Sequence, residues 1–335
     1  SLLLVFGAVE KKNTTAVLSN VLIDVSEDVL TLSGTDTEIE LISRIPLDKV
    51  ESTGRTTVPG KKIIDICRSL NDDSVINFHA KDHRVFVSSG RSKFNLTSIT
   101  ADDYPTAKDE VPELEFQIET KALIDLLQVS YFSMAQQDVR SYLNGLLLES
   151  VGQSLYSVST DGHRLSVANV LLDNKIPESK IIIPRKSVIE LMRLLNDIPD
   201  ISVLIQQTVN HFYLKTNNYQ FASKLVVGRF PNYKRVLPIN NDKQVLVDRD
   251  LLKQTLTRVS ILANEKYRAV TLIVTSCKLV INAINQEQEE AVEEIEVDTQ
   301  GDDISIGVNA VYLLEVLNNV PPGLVKISLS EPDNS

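Results

Sequence analysis

The segments VPGKKIIDICRSL at 58–70, IPRKSVIELMRLL at 183–195 and VNAVYLLEVLNNV at 308–320 begin a constant 125 residues apart and repeat one pattern. Each sets apolar residues at i, i+3, i+4 and i+7: Ile63, Ile66, Cys67 and Leu70; Val188, Leu191, Met192 and Leu195; Leu313, Val316, Leu317 and Val320. That spacing lines one face of an amphipathic helix. An acid recurs on the opposite face at Asp65, Glu190 and Glu315. Self-similarity at domain length constrains the fold more than any single motif, because one architecture must recur along the chain.

A second element repeats in step. LTLSGTD (30–36), LYSVSTD (155–161) and LVINAIN (279–285) are β-rich runs that end on a polar turn residue, as antiparallel strands do. Pro105 in DDYPT and Pro231 in GRFPNY add a repeated aromatic-proline corner. Each unit reads as an early helix, several strands, the repeated helix and more strands. The early helix is expected at 120–130 after Thr120 and at 249–259 after Asp248, with only a tail, SLLLVF, in the first unit. Linkers are expected near 108–115 and 237–244, where proline and polar residues interrupt the pattern. The chain is therefore expected to be a triplicated α+β protein with domains over 1–112, 113–240 and 241–335.

The 335-residue length suits two or three domains at the usual ~100–200 residues each. No run approaches the ~18 consecutive apolar residues of a membrane span, and the opening SLLLVFGAVEKK lacks a basic leader and cleavage site. The sequence reads as cytoplasmic. Cys67 and Cys277 fall far apart without zinc-ligand spacing and are expected to be buried thiols, not a disulfide. The sequons at Asn13 and Asn95 are most simply chance matches. A net charge of −11 argues against coating nucleic acid through bulk positive charge, yet leaves room for a basic face.

One stretch looks catalytic. VSTDGHRLSV (158–167) brings Asp161, His163 and Arg164 within four positions in a chain with only four histidines. In a strand, Asp161 and His163 would share a face but lie roughly 6.5–7 Å apart, too far for the acid to orient the imidazole, although a turn at Gly162 could shorten this. The repeat argues further against catalysis. Asp161 corresponds to Asp36 and Asn285, and His163 to Glu38 and Glu287, so the acid fits a turn residue bonding its own backbone. The chain carries no G-x-G-x-x-G, P-loop, G-x-S-x-G or H-E-x-x-H. A multidomain hydrolase centred on Asp161 and His163 remains the rival reading from another class.

The strings TDGHRL (160–165), PRKSVIELMRLL (184–195), SMAQQDVRSYLNG (133–145), SKLVVGRFPNYKRVLP (223–238), ILANEKYR (261–268) and NQEQEEA (285–291), in this order, resemble the bacterial sliding clamps. That family is the beta subunit of the replicative DNA polymerase III, and the resemblance covers essentially the whole chain. It implies three clamp domains, each with two helices packed on antiparallel sheet. Two chains would close head to tail into a ring around duplex DNA, giving the polymerase processivity with no cofactor, metal or catalytic residue.

The same resemblance implies roles for residues. Stripes of Lys61, Asp65 and Arg68 and of Lys186, Glu190 and Arg193 read in isolation as solvated helix faces, and the third copy departs with Val311, Glu315 and Asn318. By resemblance Lys61, Arg185 and Lys186 face DNA, and Lys12 and Gln137 are loop contacts to it. The acidic run EQEEAVEEIE (287–296) reads in isolation as a charged edge strand. By resemblance Glu287, Glu290 and Glu293 meet Lys62, Arg91 and Lys93 of a second chain around Phe94, Leu96, Ile261 and Leu262, two unlike surfaces of opposite charge.

TDGHRL would line a groove that captures apolar peptide motifs of the polymerase, clamp loader and repair proteins. Its deeper pocket would be Thr160, Gly162, His163, Arg164, Leu165, Leu143, Pro231 and Val236. Its shallower part would be Arg140, Tyr142, Arg235, Asn309 and Tyr312.

Family members usually carry a short further segment before this start and a closing strand after this end. Either the sequence omits segments of the protein or its groove is incomplete, and the intact third helix favours omission. TAVL (15–18) and Ser141 are smaller departures; the latter would thin one wall of the shallow pocket. A peptide-binding adaptor that forms no ring is the second rival.

Overall fold

The computed structural model describes residues 1–10, 15–71, 73–107, 110–238 and 242–330. They form two compact bodies, Ser1–Phe230 and Pro231–Ser335. The first body holds two copies of the repeat.

The first copy runs α1 (Leu2–Gly7), β1 (Asn20–Ser26), β2 (Val29–Thr35), β3 (Ile39–Pro46), β4 (Gly54–Pro59), α2 (Gly60–Ser69), β5 (Asn77–Lys81), β6 (Arg84–Ser89) and β7 (Ser92–Thr97). The second runs β8 (Leu114–Glu119), α3 (Thr120–Gln128), β9 (Gly145–Val151), β10 (Ser154–Thr160), β11 (Leu165–Leu171), β12 (Ser179–Pro184), α4 (Arg185–Asp197), β13 (Ser202–Gln207), β14 (His211–Lys215) and β15 (Tyr219–Lys224). In the second body the third copy has β16 (Lys243–Asp248), α5 (Arg249–Val259), β17 (Ala269–Thr275), β18 (Lys278–Ile284), β19 (Glu290–Glu296), β20 (Asp298–Gln300), β21 (Ile304–Asn309), α6 (Ala310–Asn319) and β22 (Leu324–Leu329).

Each repeated helix follows its strand without a loop, at Pro59, Pro184 and Asn309. Only Asn309 caps through its side chain, accepting from the amides of Val311 at 2.9 Å and Tyr312 at 3.3 Å. Asp248 caps α5 in the same way. Thr120 is the first residue of α3, where the expected span begins, and its hydroxyl donates to the Ile201 carbonyl at 2.6 Å. The helix ends at Gln128, two residues short of the expected span.

All strand pairs are antiparallel, and alternation sets their faces. In β8, Leu114, Phe116 and Ile118 are buried while Glu115, Gln117 and Glu119 are exposed. Strands β11-β10-β9-β12 form one sheet and β5-β6-β7 another. The largest sheet has the order β4-β1-β2-β3-β15-β14-β13-β8 and so crosses from the first copy to the second. The crossing is a ladder from Ser43 opposite Tyr219 to Ile39 opposite Ser223. A linker expected near 108–115 therefore does not separate two bodies. The second body has sheets β19-β18-β17-β21 and β20-β16-β22, with its own core.

Helix α4 fastens α1 to the second copy. Arg193 donates to the carbonyls of Leu3 at 3.1 Å and Leu4 at 2.6 Å while its Nε holds Glu190 at 2.7 Å. A Cβ at Gly7 would lie 1.7 Å from that guanidinium, so the missing side chain is what lets it pass. Arg193 is thus an inter-repeat strut and not part of a solvated stripe. The cysteines also depart from expectation: both are free, but Cys67 is half-buried and Cys277 is exposed in the turn between β17 and β18 at φ 63°. No helix is long and apolar enough to cross a membrane among the described residues.

Candidate functional site

At the end of β10 the chain reverses through Thr160–Leu165, and side chains hold the turn. The Thr160 hydroxyl donates to the Arg164 carbonyl at 2.6 Å and accepts from the Gly162 amide at 3.0 Å. Asp161 Oδ1 accepts from the amides of His163 at 2.9 Å and Arg164 at 3.1 Å. Its Oδ2 accepts from Arg164 Nε at 3.0 Å. Both carboxylate oxygens are therefore engaged, and the His163 imidazole is exposed with no hydrogen-bond partner among the described residues. An acid oriented on the imidazole is what a catalytic pair requires, and that pair is not formed here.

The first copy builds the same turn. Thr35 Oγ1 donates to the Ile39 carbonyl and accepts from the Thr37 amide, and Asp36 Oδ1 accepts from the amides of Glu38 and Ile39. In the third copy Asn285 Oδ1 accepts from the Glu289 amide across a longer turn. Asp161 is thus a turn residue of the repeated architecture, as its counterparts imply.

What distinguishes the middle copy surrounds that turn. Arg164 Nη2 donates to the Phe132 carbonyl at 3.1 Å, and its guanidinium lies 5.6 Å from the Phe132 ring centroid. Arg140 lies beside Gly162, whose absent Cβ would come 3.3 Å from Arg140 Nη2. Asp138 clips Arg140 by three bonds of 2.8–2.9 Å, and the guanidinium beside it lowers the Asp138 carboxyl to about 2. Tyr142 is half-buried against Gly228, and Leu165 pairs with Thr160 across the hairpin.

Leu143 is 2% exposed, so it can only floor the surface. Arg140, Tyr142, Thr160, Gly162, His163, Arg164 and Leu165 belong to the first body. Pro231, Arg235, Val236, Asn309 and Tyr312 belong to the second, where Pro231, Arg235 and Val236 are exposed and Asn309 caps α6. Sequence reading missed Asp138, Phe132 and Gly228. The spacing D-x-R at 138–140 was a readable signal for the clip; the other two contacts bring together residues distant in sequence.

Residues 1–108, 117–232 and 234–335 match, in order, the N-terminal, central and C-terminal domains of the DNA polymerase III beta subunit. The beta sliding clamp of Pseudomonas aeruginosa is 44% identical over 335 residues, covering 99% of this chain and 90% of the relative. The chain belongs to the DNA polymerase III beta subunit family. Crystal structures of the Pseudomonas aeruginosa subunit superpose at TM-scores of 0.94 and, bound to griselimycin, 0.95, each at 43% identity and covering 98% of this chain; it covers 90% and 89% of theirs. The fold is the three-domain α+β clamp fold.

The remaining candidate clamp residues divide. Lys61 and Lys62 are exposed on α2, and Gln137 is exposed at φ 58°. Arg185 donates to the Met134 carbonyl at 2.9 Å, and Lys186 is ion-paired with Asp36. Lys12 lies outside the described residues. Arg91 and Lys93 are exposed at the edge strand β7, Phe94 is half-buried, and Leu96 is 7% exposed within the core. Ile261 is 77% exposed, Leu262 half-buried, and Glu287 and Glu290 exposed near the edge strand β19. Glu293 differs, because Arg258 grips its carboxylate through Nε at 2.9 Å and through Nη2. That guanidinium also lowers the Glu293 pKa.

Proposed function

We propose that this clamp chain closes head to tail with a second copy into a ring around duplex DNA and captures linear peptide motifs at the 160–165 turn. The function is that of a DNA sliding clamp for the replicative polymerase: a processivity factor, not an enzyme. The ring reading is supported most by the β3–β15 ladder, which already joins successive repeats edge to edge.

By position in their hairpins, β19 is the third copy's counterpart of β3 and β7 the first copy's counterpart of β15. Both are outermost strands. Repeating the ladder between chains sets Glu294 opposite Arg91 of a second copy, as Arg44 N donates to the Asn218 carbonyl at 2.8 Å within the chain. The acidic edge, with Glu290 and Glu296 and with Glu294 shared with Lys278 at 2.6 Å, then meets the basic edge with Arg91 and Lys93, which fixes orientation. Ile261 adds an exposed apolar side chain.

DNA contacts by Lys61, Arg185, Lys186, Lys12 and Gln137 would be made to phosphate and carry no sequence preference. The sparse basic residues suit a ring that slides. The 160–165 turn, with Arg140 and Tyr142 beside it, offers fixed polar groups next to apolar side chains, which peptide capture requires. A related clamp is solved with griselimycin bound, which fits a ligand-taking surface in this fold. Partners would be the polymerase, the clamp loader and repair proteins, met in the cytoplasm.

The test is topological. The protein is loaded by a cognate loader onto closed circular DNA, which is then linearised. A ring slides off the ends, whereas retention would favour an adaptor held by direct contacts.

A further inference from the structure

Among the described DNA-facing candidates, Lys186 is the one held in an ion pair. Its ammonium pairs with Asp36 Oδ2 of the preceding repeat, and half of its side chain remains exposed. Asp36 is fixed: Oδ1 takes the amides of Glu38 at 2.9 Å and Ile39 at 2.8 Å, and its side chain is only 2% exposed. The carboxylate cannot turn to water, so the lysine has a permanent counter-charge within reach of any phosphate that approaches it.

The other repeats do not copy this pair. Asp161, at the position of Asp36, takes Arg164 from its own turn, and the helix position equivalent to Lys186 is Val311 in the third copy. Asn285, the third counterpart of Asp36, carries no charge, and the carboxylate it holds at 2.6 Å, that of Glu289, is exposed, so in a closed ring Lys61, the first counterpart of Lys186, would meet no buried counter-charge at that position.

We infer that Asp36 is a positioning residue that restrains DNA grip, holding Lys186 as a neutralised pair and leaving Lys61 the stronger phosphate contact. This rests on the reading that these lysines face DNA. Each phosphate a protein neutralises steepens the slope of log affinity against log salt by roughly 0.9. Removing the Asp36 charge should release about one such contact per protomer.

Asp36→Asn is the right change because the amide oxygen can still hold the turn, as Asn285 does in the third copy. The dimeric full-length clamp would be titrated with a short linear duplex over a salt series. Asp36→Asn should tighten binding severalfold at low salt and steepen the slope by about one per protomer. Lys186→Gln should change little alone and cancel the gain in the double variant, while Lys61→Gln should weaken binding more than Lys186→Gln.

If Lys186→Gln weakens binding strongly while Asp36→Asn does nothing, Lys186 faces DNA unrestrained and the inference falls while the DNA-facing reading stands. A gain that persists in the double variant would overturn it in favour of a general field effect. A gain shared by Lys186→Gln alone would overturn it in favour of a loosened joint between repeats. No response from any variant would remove the DNA-facing reading and the inference with it.

Discussion

Thr37 and Gly162 hold the same place in two copies of one turn, at φ 76° and 91°, and only the glycine suits that backbone. A β-branched residue in this region carries a strain of roughly 1–2 kcal/mol. Thr37→Gly should therefore stabilise the protein by about 1 kcal/mol after the larger entropy of an unfolded glycine is allowed for. Gly162→Thr should destabilise it and press on Arg140. Urea denaturation midpoints check both.

His163 and Arg164 should separate on stability. His163→Ala removes an exposed ring and should fall within about ±0.5 kcal/mol of the parent. Arg164→Ala removes the partner of Asp161 and of the Phe132 carbonyl and should cost about 2 kcal/mol. Both should weaken binding of a polymerase-derived peptide, and a histidine variant with unchanged peptide affinity would remove His163 from the groove.

At the proposed seam, Arg91→Cys with Glu294→Cys, in a Cys277→Ser background, should form a covalent dimer on mild oxidation. Failure to cross-link would refute the register taken from β3 and β15. Ile261→Ala with Leu262→Ala should give monomers in analytical ultracentrifugation. Glu293→Gln should leave dimerisation nearly unchanged, because Arg258 already holds that carboxylate.

The two thiols should differ in rate. Burial raises the Cys67 pKa, so less thiolate is present at neutral pH, whereas Cys277 is exposed. One thiol per chain should react quickly with a maleimide. Cys67 should follow slowly, its rate profile displaced to higher pH, and become fast on denaturation.

The helices and the turn were legible because their signals are local. Apolar spacing at 58–70, 183–195 and 308–320 marks a helix whatever lies beside it, and a polar residue closing the same strand three times marks a turn. Partners across the fold were not legible. Lys186, Glu190 and Arg193 form the same stripe whether water or another repeat covers it, and only the fold brings Asp36 and the Leu3 and Leu4 carbonyls to it. Glu293 reads as one more acid in a charged run until Arg258, 35 positions earlier, closes on it. Leu96 alternates correctly for a strand, but alternation does not tell an interface between chains from the interior of one.

The ladder between β3 and β15 also governs how the chain can be taken apart. A cut near residue 110 would strand two sheets with raw edges, Ile39–Pro46 on one fragment and Tyr219–Lys224 on the other, each a template for misplaced pairing. The first repeat is recognisable as a unit in the sequence, but it is not a separable piece of material; whoever expresses it alone should expect aggregates, and should cut after Phe230 instead.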